Sequence, residues 1–239
     1  MKKEILKEPY YVDELLKIIR SDISEEKLAE YLSDYHENDI AGALEQLDVQ
    51  ERKKIYSILG TEKISEIFAY IEDVVLYLNE LELENAAEII SYMDSDDAVD
   101  VLEEMDSTTK EKIVSMMDNE SSKDVQLILS YDDDEMGSRM TTNYIVINNK
   151  FTVRQAMREL IHQAGENDNI TTIYVVDEKD CFYGAIDLKD LIVARDYTDL
   201  EELIYTSYPY VSIMKKLVIV LNESKSMPKI PFLCWMIQA

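Results

Sequence analysis

The chain has 239 residues, 46% hydrophobic and 31% charged, which suits one or two folded domains rather than a disordered polymer. Lys plus Arg number 24 against 50 Asp plus Glu, a formal charge of −26 that repels phosphate backbones and anionic lipid and attracts cations, so nucleic acid is excluded as a partner. Two cysteines, Cys181 and Cys234, form no Cys-x-x-Cys pair, and no run approaches about 18 apolar residues; the expectation is a soluble chain in a reducing compartment, without zinc, disulfides or a membrane span.

Residues 1–20 carry acids among their apolar positions and read as a helical segment rather than a signal-peptide core. Residues 21–130 hold few Gly and Pro and repeat. Leu47-Asp48, Met93-Asp94, Met105-Asp106 and Met117-Asp118 each close one apolar run and open the next. From Asp94 to Asp106 to Asp118 the step is 12 residues, and the same step from Asp48 reaches back to His36 and Ser24 and forward to Gly60. The register slips between Glu72 and Glu82 and then resumes. Each unit starts with a polar N-cap and continues with apolar residues at helical spacing, as in "DVQERKKIYSIL" and "DSTTKEKIVSMM". Helices of about 8–10 residues are marginal alone in water, so an α-solenoid-like stack is expected.

An acidic linker follows at 131–136, containing Asp132, Asp133, Asp134 and Glu135. Beyond it the rhythm changes. "TNYIVINN", "NITTIYVVD" and "CFYGAID" are rich in β-branched and aromatic residues and predict strands, the last after the turn "DEKD". "TVRQAMRELIHQAG" predicts a helix with Val153, Ala156, Met157, Leu160, Ile161 and Ala164 on its apolar face and Gly165 as its C-cap; "LKDLIVARD" predicts another. The order strand, helix, strand, strand, helix makes 137–212 a smaller α+β part, so the fold class is mainly α followed by α+β.

The stretch "SDDAVDVLEEMD" raises the main chemical question, because it holds six acids and no base. On a helical wheel Ala98, Val101, Leu102 and Met105 share one arc, while Asp96, Asp97, Asp100, Glu103 and Glu104 share the other. Asp94 stands at the N-cap position, and Asp97 favours the helix dipole. Asp100, Glu103 and Glu104 lie beyond the first turn and gain nothing there. Like charges at i, i+4 cost about 0.2–0.5 kcal/mol per pair, a penalty that a divalent cation would remove. The face is either simply solvated or half of a site for Mg²⁺, which keeps its waters and takes one or two carboxylates per element.

Elsewhere the pattern is bland. His36 sits at a repeat boundary and reads as a cap or surface residue, His162 lies on a polar helix face, and Cys181 reads as a small buried side chain opening a strand. No nucleophile–base pair or Gly-rich phosphate loop occurs, so no enzyme is expected.

With these residues laid out, the chain resembles the cytosolic region of the MgtE magnesium transporter and channel family. The likeness runs from about Ser24 to Ser212 and is carried by "YMDSDDAVDVLEEM", by the junction "YDDDEMGSRMT" and by "TIYVVDEKDCFYGAIDLKDLIVA", which is similar to a first cystathionine-β-synthase (CBS) motif. The resemblance implies a cytoplasmic homodimer, joined through its CBS region, that belongs to a parent protein in the cell membrane whose pore this chain lacks. It implies Mg²⁺ sensing, in which acidic surfaces close around bound ions at high Mg²⁺. Asp96 and Asp100 match helical-domain acids that face the CBS region across Mg²⁺; Asp97, Glu103 and Glu104 are added from the wheel. CBS motifs often bind adenine nucleotides. Here Asp190 falls at the ribose-contacting position, but Asp187 places a carboxylate where the pattern has a hydroxyl, and it repels phosphates unless Lys189 offsets it. A protein–protein scaffold with a basic partner and a nucleotide-sensing module are the alternative functions.

The family pattern predicts a second CBS motif after "YPYVSI", whereas residues 213–239 form a basic, atypical tail containing the single Trp. A reading frame displaced by two bases can encode a strand-like CBS segment there, so the tail is expected to be a frameshift product, with a natural short form as the alternative. The tail is expected to be partly disordered or irregularly packed, and the uncovered face of the lone motif to drive pairing between chains.

Overall fold

The computed structural model describes residues 11–165, 167, 169–208, 210–212, 214–219 and 233–235. The chain divides into two compact units: Met1–Met93 with Asp97–Val125, and Asp94–Asp96 with Gln126–Ala239.

The first unit is helical. Its elements are α1 (Tyr11–Ile19), α2 (Glu25–Leu32), α3 (Glu37–Leu44), α4 (Val49–Phe68), α5 (Val74–Leu78), α6 (Leu83–Ser91), most of α7 (Ser95–Glu103), α8 (Ser107–Met116) and the start of α9 (Asn119–Leu129). The 12-residue rhythm marks where they begin. The Ser24 hydroxyl accepts from Lys27 N–H at 3.4 Å, and His36 Nδ1 from Asn38 N–H at 3.2 Å. Asp48 forms a reciprocal capping box with Glu51, and Asp106 accepts from Thr108 and Thr109 N–H at 3.0 and 3.1 Å. Asp118 accepts from Glu120 and Ser121 N–H at 2.9 and 3.0 Å. Each cap satisfies donors that a helix start leaves without partners. His36 is therefore a cap, as its boundary position suggested.

Gly60 is the fourth boundary. It interrupts α4 with φ 78 and ψ 168, a region that only glycine occupies at low cost, and the chain resumes as helix on the far side. The helices bury one stripe each: Leu15 and Ile19 of α1, Leu28 and Leu32 of α2, Ile40 and Leu44 of α3, Ile55, Ile64 and Ile67 of α4, and Ala87 and Ile90 of α6. α1 packs on α2 and α3, α4 on α2, α3 and α6, and α6 on α8. A half-buried ion pair joins these layers. Arg52 donates to Glu80 in fork geometry and to the carbonyls of Leu44, the last residue of α3, and of Leu47 just after it, while its guanidinium lies 5.2 Å from the Tyr77 ring centroid.

The second unit contains the sheet that the sequence predicts. Strands β1 (Ile145–Asn148), β2 (Thr172–Val176) and β3 (Phe182–Asp187) lie in the order β1-β2-β3, with β1 parallel and β3 antiparallel to β2. α10 (Val153–Gln163) makes the crossover between the parallel strands, and α11 (Leu188–Val193) follows β3. Ile145, Ile147, Ile173, Val175 and Ile186 form the core with Val153, Ala156 and Leu160 of α10 and Leu191 of α11. Asp180, in the "DEKD" turn, takes a positive φ of 57, which the short polar side chain of Asp tolerates. Beyond β3, Ala185 and Tyr205 exchange N–H···O bonds of 3.2 and 2.8 Å. Gly184 makes room for that approach, since a Cβ there would lie 2.8 Å from Tyr205 O.

Three side-chain expectations are corrected. Ile161, assigned to the apolar face of α10, is 68% exposed, because α10 covers the sheet with a stripe narrower than the wheel suggests. Cys181 is exposed, since β3 starts one residue later and Cys181 belongs to the turn. Val99 of α7 is buried although the wheel left it off the apolar arc. Ile192 and Val193 of α11 are exposed and apolar.

Of the tail, residues 214–219 and 233–235 are described. Lys215 O accepts from Met136 N–H at 3.0 Å, Leu217 N–H donates to Asp134 O at 2.8 Å, and strands β4 (Tyr210–Ser212) and β5 (Leu233–Trp235) pair in parallel. The rest of the tail lies outside the described residues.

Two outcomes follow for stability. Nothing lies within 4 Å of a Cβ built on Gly60, so Gly60→Ala acts through backbone strain alone. It should cost about 1–3 kcal/mol in urea denaturation. Glu51 receives the Arg20 guanidinium at 2.7 Å, which, together with the Asp48 N–H, holds its carboxyl down at about 2. A depressed folded-state pKa stabilises above the unfolded value of about 4.3 and loses that contribution as pH falls toward 2. Glu51→Gln keeps the capping box. Because the pair is solvent-screened, it should cost under about 1 kcal/mol at pH 7, and the difference from wild type should shrink across pH 5 to 2.

Candidate metal site

The site predicted from the sequence lies along α7. Ala98, Val99 and Leu102 are its buried residues. Asp97, Asp100, Glu103 and Glu104 are exposed, with the last just past the helix end. Asp96 differs from them. It is half-buried, and its Oδ1 is shielded from solvent with no hydrogen-bond partner among the described residues. A shielded carboxylate oxygen without a donor is costly, and a cation or a proton relieves the cost. Asp96 and Asp100 stand one turn apart on the same ridge, so the helix places both on one side.

The residues preceding Asp96 are anchored within the second unit. Asn143 Nδ2 donates to Asp94 Oδ1 at 2.8 Å, and Asn169 N–H donates to Asn143 Oδ1 at 3.3 Å. Thr142 reaches Ser95 Oγ with both its N–H and its hydroxyl, each at 3.0 Å. Ser95 and Asn143 are buried polar residues that sequence reasoning missed. Their only signal is negative: each is a polar side chain next to an apolar run, which is common at any element boundary. Asp94, at the position just before α7, accepts the Asn143 bond on its carboxylate.

A second acidic group, at the junction, already holds an internal cation. Lys216 Nζ lies 2.6 Å from Asp134, 3.5 Å from Glu135 and 3.7 Å from Asp132, and Asp134 is the chief cause of its raised pKa. In the CBS-like part Asp187 precedes α11, and Asp190 sits in the first turn of that helix, where its Oδ2 accepts from the Tyr205 hydroxyl at 2.9 Å. That bond pushes the Tyr205 phenol pKa up. His162 is exposed on α10, far in sequence from His36, the cap of α3. Among the described residues no three His, Cys, Asp or Glu side chains converge as a metal cage. Hydrated Mg²⁺ does not require one, since it commonly takes one or two carboxylates and fills its octahedron with water. Asp96 and Asp100 suit such an ion chemically: both offer hard oxygen ligands, and one Asp96 oxygen is shielded with no donor among the described residues.

The comparisons with known proteins agree with this order of parts. Residues 35–134 match the MgtE intracellular N domain, and residues 134–197 match the CBS domain. The magnesium transporter MgtE of Enterococcus faecalis is 40% identical over 164 residues, covering 67% of this chain and 36% of that protein. The Bacillus subtilis magnesium transporter MgtE is 29% identical over 170 residues, covering 70% and 38%. The chain thus spans little more than a third of these relatives. Among solved structures, the soluble part of a magnesium transporter superposes with a TM-score of 0.81 at 27% identity, covering 90% of this chain and 85% of that one. The cytosolic domain of the Mg²⁺ channel MgtE in complex with ATP superposes with a TM-score of 0.72 at 26% identity, covering 84% of each. Among the described residues no helix is long and apolar enough to cross a membrane. Two adjoining domain matches in the same order, with relatives similar across both, place this chain in the MgtE family as an MgtE intracellular N domain followed by a CBS domain.

Proposed function

We propose that the chain is the Mg²⁺-sensing cytosolic regulatory region of a magnesium transporter or channel, with Asp96 and Asp100 as its principal helical-domain carboxylates and Asp97, Glu103 and Glu104 setting the surrounding field. Mg²⁺ held there screens the acidic face and allows it to close against the CBS part. The carrying observation is the shielded Asp96 Oδ1, which has no donor among the described residues. The relatives named above, which are magnesium transporters, support the choice of ion. The exposed Ile192 and Val193 of α11 support a homodimer joined through the CBS part.

A second reading is favoured by one specific observation: the related cytosolic domain was solved with ATP. An adenine nucleotide would meet Asp190 at its ribose. Asp187 opposes its phosphates, so Asp187→Thr should strengthen the heat of ATP binding measured without free Mg²⁺.

The main test compares MgCl₂ with KCl at matched ionic strength, following melting temperature and small-angle scattering. Mg²⁺ should raise the melting temperature and shrink the radius of gyration where K⁺ does neither. Saturation at a hundredfold over the dissociation constant corresponds to about 2.7 kcal/mol. Asp96→Asn and Asp100→Asn should abolish the response. Without Mg²⁺, Asp96→Asn should be at least as stable as the parent, because it removes a charge from an i, i+4 pair. An equal response to K⁺ would leave plain screening, the behaviour of a scaffold with an acidic face.

A further inference from the structure

The first unit holds a cavity of about 580 Å³ at the meeting of α1, α2 and the start of α3, apart from α7. Tyr11, Tyr31 and Tyr35 supply aromatic walls, and Glu14, Asp34 and Asp39 supply carboxylates. Its described lining contains no Lys or Arg. Tyr11 and Tyr35 meet edge to face, with centroids 6.1 Å apart at 76°. Tyr35 is kept as the neutral phenol, first by burial and then by the negative charge of Glu14 beside it. His36 spends its Nδ1 on the α3 cap. Tyr11 and Tyr31 remain 46% and 49% exposed, large rings left in water beside acids.

Aromatic rings beside carboxylates suit a particular class of ligand. A ring face attracts an ammonium or other organic cation, and a carboxylate fixes its charge. Mg²⁺ keeps its water shell and gains little from an aromatic wall. An alkylammonium carries both an apolar stem for the rings and N–H donors for the acids. The volume lies within the range of about 300–1,000 Å³ typical of small-molecule sites. We propose that this cavity binds a small organic diamine of the polyamine type, independently of Mg²⁺ at α7.

The test is calorimetry on the full chain with 1,4-diaminobutane as probe, at constant ionic strength. Saturable heat is expected at millimolar probe. Tyr31→Leu and Asp34→Asn, both at exposed positions, should weaken binding about five- to tenfold. Tyr31→Phe should retain it, since the ring and not the hydroxyl makes the contact. Glu178→Gln, in the β2–β3 turn of the second unit, should leave it unchanged, as should Asp100→Asn, so failure of the Mg²⁺ reading and failure of this one are distinguishable. Circular dichroism of each variant establishes that the fold is kept. Absence of saturable heat overturns the proposal. So does equal affinity in Tyr31→Leu, and so does tighter binding of a Lys-rich peptide than of the diamine, which would make the cavity a protein-docking site.

Discussion

Short helices govern this molecule. α2 and α3 have eight residues each and α5 has five, lengths at which an isolated helix in water is mostly unfolded. Two things make them persist. Five of the starts are capped by a local side chain: Ser24, His36, Asp48, Asp106 and Asp118 each place an acceptor over the first turn. Each helix then buries its apolar stripe against the next, so none is stable without its neighbours. The acid-rich composition is partly a result of this scheme, because Asp is a good N-cap and fits the positive end of the helix dipole.

Charge in excess of capping needs is handled in three different ways. Glu80 is half-buried and matched by Arg52, which also donates to carbonyls at and just after the end of α3. Asp132, Asp134 and Glu135 converge on the ammonium of Lys216, 81 or more residues away in sequence. The stretch "SDDAVDVLEEMD" contains no base of its own, and Asp96 within it keeps a shielded oxygen with no donor among the described residues. It is this difference, rather than acidity itself, that singles out α7. The residues that anchor its start, Asp94 and Ser95, use their side chains on Asn143 and Thr142 and so fix where Asp96 begins the acidic ridge.

Much of the fold is legible in the sequence because it rests on local rules. The 12-residue step locates helix starts through cap chemistry, and β-branched runs locate three strands whose order with α10 and α11 follows from chain order and the preference for a right-handed crossover. What the sequence conceals depends on partners far along the chain. A helical wheel cannot tell how wide a stripe the neighbour covers, so Val99 is buried and Ile161 is not. Nothing in the spacing links Asn143 to Asp94, 49 residues earlier, or Lys216 to Asp134, 82 residues earlier. The acidic residues of α7 are visible as a group in the sequence, whereas the distinct status of Asp96 among them appears only when each oxygen is accounted for.

The bridge between Ala185 and Tyr205 has a consequence for behaviour at high concentration. A small sheet with an open flank offers its unpaired amides as a template on which a foreign strand can grow into a fibre. Here the backbone at Tyr205 occupies the flank of β3 at Ala185, and Gly184 permits that approach. A strand adding in register on this side must first displace Tyr205 from Ala185, so the lack of a side chain at position 184 raises the barrier to such growth.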